Sequence, residues 1–142
     1  MTTIKSYIFI ILFLFCSSLV SFNCYYSESV AAPIVGKWVL TQFYPTKKDT
    51  FKYKELVAFQ IENAGMTSGF MGCNKFRTEC ATKRDSIHFG TILSSRKFCG
   101  KIYMDLEDQF KYTLSNANAY LIKENTLTLF EGKKKLAAFK KQ

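Results

Sequence analysis

The sequence predicts an α+β, mainly β domain: an antiparallel curled sheet or half-open barrel of about seven to eight strands, with one covering α-helix near 102–115. Three observations predict it. From Gly36 onward, short aromatic and β-branched stretches alternate with polar turns. One apolar period of four residues interrupts them between residues 102 and 114, and an apolar N-terminal run precedes them all.

Residues 1–23 read as a signal peptide. Lys5 is the one charge among the first 22 residues, and the apolar run 7–20 is shorter than the roughly 20 residues a spanning helix needs. Ser21-Phe22-Asn23-Cys24 then places a cysteine where a bacterial lipoprotein carries its lipidated residue, so Cys24 is the candidate lipidation site and a possible point of membrane attachment. Phe22 and Asn23 depart from the small residues usual there, which leaves cleavage after Ser18 or Ser21, or a retained anchor, open. Residues 24–34 read as a tether and 35–142 as one folded domain.

The formal charge of +9 falls to +8 without Lys5. Lysines cluster at Lys47, Lys48, Lys52 and Lys54, and again at Lys133, Lys134, Lys135, Lys140 and Lys141. Such runs are solvated faces or tails in most proteins; attraction to anionic lipid head groups is the sharper reading.

The strands follow in order. Lys37-Trp38-Val39-Leu40-Thr41-Gln42-Phe43 and Leu56-Val57-Ala58-Phe59-Gln60-Ile61 are short and bounded by turn composition. After the turn Asn63-Ala64-Gly65, residues 67–76 read as a single strand, with Phe70 and Phe76 on one face and Met71 and Cys73 on the other. Gly69 and Gly72 within it suggest a bulge or sharp bend. Past the turn 82–85, Ile87 and Phe89 alternate with His88 and Gly90. Residues 120–123, 126–130 and 136–139 close the series, separated by Glu124-Asn125 and Glu131-Gly132-Lys133.

The helix is announced by Ile102, Leu106, Phe110 and Leu114, with Tyr103 and Ala117 extending the stripe. Asp105, Glu107 and Asp108 crowd its first half and Lys111 follows, which agrees with the helix dipole. Its apolar stripe is expected to pack across the open side of the barrel.

With these residues placed, the chain resembles the META domain, the HslJ-like family of heat-inducible bacterial envelope proteins. Gly36-Lys37-Trp38 matches the opening Gly-x-Trp strand, and Gly72-Cys73-Asn74-Lys75-Phe76 matches Gly-Cys-Asn-x-Phe. Ser95-Arg96-Lys97-Phe98-Cys99 matches Thr-Arg-x-x-Cys with Ser95 in place of Thr. Glu107 and Phe110 match the helix, and Leu127 and Leu129 the closing hairpin. Cys80 departs from the aromatic or small residue many members have there. The resemblance implies a half-barrel with one covering helix, an envelope location, a link to stress tolerance and no enzyme activity.

Beyond Cys16 and Cys24, three cysteines remain. Cys73 and Cys99 hold the two motif positions and are the favoured disulfide, worth about 3 to 4 kcal/mol over their 26-residue separation. Cys80 with Cys99 is the alternative, and three reduced thiols the third possibility. A metal site is not expected: zinc ligands pair two to four residues apart, whereas Cys73 and Cys80 are seven apart and His88 is the single histidine. The same shortage opposes Cys-His catalysis. Arg96 and Glu107 are expected to meet as a partly buried ion pair, and Asn74 to bond backbone at the bend. Gly72, Asn74, Phe76, Arg96, Glu107 and Phe110 are thus structural motif residues; no catalytic residue, metal ligand or cofactor is assigned.

The function expected is a non-catalytic exported envelope protein, monomeric, supporting stress tolerance through an unidentified macromolecular partner. A carrier or sensor of an apolar or lipid ligand inside the half-barrel is the alternative, permitted by the 16% aromatic content. Basic, aromatic-rich small barrels also describe single-strand nucleic-acid binders, a reading that export opposes.

Overall fold

The computed structural model describes residues 32–44 and 57–142. The predicted signal peptide, Cys24 with most of the tether, and the lysines at 47, 48, 52 and 54 lie outside the described residues.

A 3-10 turn at Ala32–Ile34 leads into nine strands and one helix: β1 (Gly36–Phe43), β2 (Val57–Ile61), β3 (Met66–Met71), β4 (Lys75–Lys83), β5 (Ser86–Phe89), β6 (Leu93–Ser94), α1 (Lys101–Asn116), β7 (Ala119–Lys123), β8 (Thr126–Glu131) and β9 (Lys134–Lys141). Neighbours run β3-β2-β1-β9-β8-β7-β5-β4, every pair antiparallel, and β3 pairs with β4 to close the circle. Eight strands make the barrel. The ninth, β6, continues the line of β5 along the same edge of β4, pairing Ser94 with Phe76 and Leu93 with Arg77.

Closure follows from a break that the pattern of residues 67–76 concealed. Gly72-Cys73-Asn74 is a hairpin turn, so the expected single strand is two, β3 and β4. This also corrects the expected faces. The turn resets the alternation, so Met71 and Phe76 both point into the barrel while Phe70 lies at the surface.

The core is aromatic. Phe110 of α1 stands among Phe59, Phe76 and Phe139, with ring centroids 6.0, 5.3 and 6.2 Å away. Phe59 meets Phe139 edge-on at 5.0 Å. Trp38 is fully buried and its indole Nε1–H donates to the Ile34 carbonyl at 2.7 Å, tying the entry turn to β1. Helix α1 packs into the barrel through Leu106, Phe110 and Leu114. Ile102, at the head of the expected stripe, is instead half exposed.

The seam between β5 and β7 is thin. One register pair, Ser86 with Ala119, joins them, flanked by the bonds Ile87 N–H to Asn118 O and Tyr120 N–H to Asp85 O.

Candidate functional site

The sequence motifs converge at one end of the barrel, where the β3–β4 turn meets the segment 95–99 that leads from β6 into α1. Gly72 makes the turn with φ +100°, and a Cβ there would stand 2.7 Å from Leu106 Cδ2 of α1. The left-handed backbone favours glycine there, and an added Cβ would also have to push the Leu106 side chain aside. Cys73 is joined to Cys99 by a disulfide, with the Cα atoms 5.8 Å apart. The favoured pairing is the observed one, and Cys80 of β4 is a free, buried thiol rather than the partner of Cys99.

Asn74 is the junction. It is 1% exposed, and every polar atom it has is engaged. Its side-chain Oδ1 accepts from Lys97 N–H and Ser95 Oγ–H, both at 2.8 Å. Its Nδ2 donates to Lys97 O at 3.0 Å and Glu107 Oε2 at 2.8 Å, and its backbone N–H donates to the same Oε2 at 3.1 Å. Its carbonyl accepts from Met71 N–H. The amide therefore acts as a short strand between turn and loop, pairing both backbone groups of Lys97. The expectation that Asn74 bonds backbone holds, but the bond to Glu107 is additional.

Glu107 faces inward from α1 and is 1% exposed, more deeply buried than the part-burial expected of it. Its carboxylate receives Asn74 through Oε2 and Lys111 Nζ through Oε1 at 2.6 Å. The ion pair expected with Arg96 does not form. Arg96 is exposed, because Ser95 and Cys99 turn toward the hairpin and the alternation of an extended chain sends Arg96 and Phe98 to the opposite side. The spacing Glu107–Lys111, four residues on a helix, was the available signal for the true partner.

These groups build a joint. The buried carboxylate with its three donors and the amide with all its positions filled tie turn, loop and helix together. His88 stands exposed on the outer side of β5, and burial pushes the Cys80 thiol up to about 12, far from thiolate reactivity. Next to the joint, on the outside of β1–β4 and β6, an open groove of about 800 Å³ is lined by Lys37, Phe70, Lys75, Arg77, Leu93 and Ser95 among others.

The META domain model matches residues 32–142, the whole barrel with its entry turn. The chain belongs to the META-domain family. META domains are associated with the cell envelope and are not known as enzymes. Three solved structures share this META domain's fold. A Burkholderia xenovorans protein has TM-score 0.62 and 16% identity over 78% of this chain and 84% of its own. A second NMR structure has TM-score 0.58 and 18% identity over 78% and 95%. A DUF4847-family protein from Bacteroides vulgatus has TM-score 0.56 and 17% identity over 77% and 95%. No curated protein matches the chain.

Proposed function

We propose that this META-domain protein is an exported, non-catalytic envelope component that supports stress tolerance by binding a partner on its outer surface. The observation that carries the reading is the Cys73–Cys99 disulfide at the motif joint of an envelope-associated family. Disulfides persist in oxidising compartments, and this one staples the loop that leads into α1. The rings of Phe59, Phe76, Phe110 and Phe139 fill the barrel interior, which weighs against an apolar ligand carried inside and favours the outer surface.

Cell fractionation combined with thiol alkylation and mass spectrometry tests the proposal. An envelope fraction in which, of the domain's thiols, only Cys80 is alkylated after denaturation without reductant is the expected result. A cytoplasmic chain with Cys73, Cys80 and Cys99 all alkylated would overturn it. Loss of the gene should also lower survival of envelope stress, and wild-type survival would oppose the stress role.

A further inference from the structure

We propose that the barrel end formed by residues 92–102 docks on an anionic phospholipid surface, with Phe98 entering the lipid interface. Three large apolar side chains are exposed within this segment: Leu93 at 66%, Phe98 at 82% and Ile102 at 50%. Interleaved with them are Arg96, Lys97 and Lys101, and the segment contains no acidic residue. Lys101 shares an exposed pair with Asp105, whereas Arg96 and Lys97 form no ion pair among the described residues.

The adjoining sheet carries the same composition. Leu93 pairs with Arg77, Ser95 N–H donates to Lys75 O, and Phe70 pairs with Lys75 across β3 and β4. Phe70, Lys75, Arg77 and Leu93 thus form one outward surface running up to the loop. Its cations also lack ion-pair partners among the described residues.

Rigidity decides what this display is for. The loop is held by the disulfide at Cys99, by both backbone groups of Lys97 on Asn74, and by two bonds from Ser95. The backbone that carries Phe98 is consequently held in place while the side chain stands in water and contributes little to the core. A loop whose backbone is already held loses less freedom when the side chain it presents is buried in another phase. Cations flanking it match the negative potential of an anionic bilayer and keep their heads at the phosphates while Phe98 enters. The charge sign selects an anionic surface, and a protruding aromatic among cations selects a lipid one. The inference goes beyond the envelope assignment and does not depend on it, since it can be read with purified protein and vesicles.

Trp38 is the one native tryptophan and is buried, so a second indole can report locally. The experiment uses the full chain carrying Phe98→Trp, with Leu121→Trp on β7 as the reference exposed position. Both keep the same N-terminal segment, so its lipid affinity is common to both. Vesicles are phosphatidylcholine alone or mixed with phosphatidylglycerol, with bromine on the acyl chains.

Expected is a blue shift and quenching of the indole at 98 in the anionic vesicles, with little change at 121. Adding Arg96→Gln and Lys97→Gln should raise the lipid concentration for half the shift roughly 30-fold, and salt should do the same by screening. Equal quenching at 98 and 121, an equal response to neutral vesicles, or no shift at all would overturn the proposal. So would a shift with poly-glutamate but not with vesicles, which would mark the surface as a dock for acidic proteins.

Discussion

Asn74 and Glu107, 33 residues apart, are joined by two hydrogen bonds that end on a single carboxylate oxygen, Oε2. One residue belongs to the β3–β4 turn and the other to α1, so this contact fixes the helix against the barrel. Lys111 completes the carboxylate from the helix's own next turn. The network has the property that makes buried polar groups costly to disturb: each atom is satisfied by another that has no substitute partner.

Truncating either side should therefore destabilise strongly. Glu107→Ala leaves the Asn74 backbone N–H and one Nδ2 hydrogen without an acceptor in a buried site, and a loss of about 3 kcal/mol is expected. Asn74→Asp should be at least as harmful, since it sets a second carboxylate against Glu107. Urea unfolding of Glu107→Ala, Asn74→Ala and the double variant would show a coupling above about 1 kcal/mol. Additive losses would mean that the two side chains do not act together.

The covalent staple is a separate contribution. Opening Cys73–Cys99, by reductant or by Cys73→Ser with Cys99→Ser, should cost about 3 to 4 kcal/mol on the loop-entropy account. Because Asn74 still holds Lys97, the reduced domain should keep its fold and its circular dichroism. Collapse of the far-ultraviolet signal on reduction would show that the hydrogen bonds alone cannot hold the loop.

How far the sequence could be read depended on how local the signal was. The stripe Leu106, Phe110 and Leu114 identified α1 because one helix face needs only its own period. The alternation of Ile87 and Phe89 identified β5 in the same way. Gly69 and Gly72 signal a bend within residues 67–76, but whether it is a bulge in one strand or a turn between two is decided by the β3–β4 register, a non-local fact. The partner of Glu107 was misread for a different reason. Arg96 is near it in the chain's motifs, but an extended loop anchored by Ser95 and Cys99 turns Arg96 outward. Closure of the barrel is likewise non-local, since it depends on which edges find each other.

Gly72 offers a test of that turn. Gly72→Ala should destabilise by about 2 kcal/mol, combining left-handed backbone cost with the 2.7 Å approach to Leu106. Shortening Leu106 to Ala relieves the contact but not the backbone, so in the double variant the Gly72 substitution should cost less without becoming neutral. An unchanged cost in the Leu106→Ala background would assign the whole effect to φ.

Cys80 gives the domain a pH dependence whose direction follows from burial. Desolvation lifts its thiol from 9.0 to about 12 in the fold, while the unfolded chain ionises near the ordinary value. A group raised in the folded state stabilises fully below its unfolded pKa and loses that contribution as pH rises toward the folded one. Stability should thus fall between about pH 9 and 12, and Cys80→Ala should flatten the difference curve over that window. Comparing slopes rather than midpoints removes the cost of the small cavity the alanine leaves. Parallel slopes for the two proteins would show that the thiol does not titrate differently on unfolding.

The thin seam between β5 and β7 predicts where the barrel opens first. Every other neighbouring pair in the ring shares four or more register pairs, whereas this one shares a single pair. Local opening is governed by the bonds and packing that must be lost, so the amides of Ile87 and Tyr120 at this seam should exchange faster than those of β1 or β9. Phe110→Ala should widen the difference, because it empties the centre of the ring cluster at a cost of about 3 to 5 kcal/mol while leaving the strand edges intact. Hydrogen exchange followed by mass spectrometry would show it. Uniform exchange across all eight strands would mean that the barrel opens as one cooperative unit and that α1, rather than strand pairing, holds the seam.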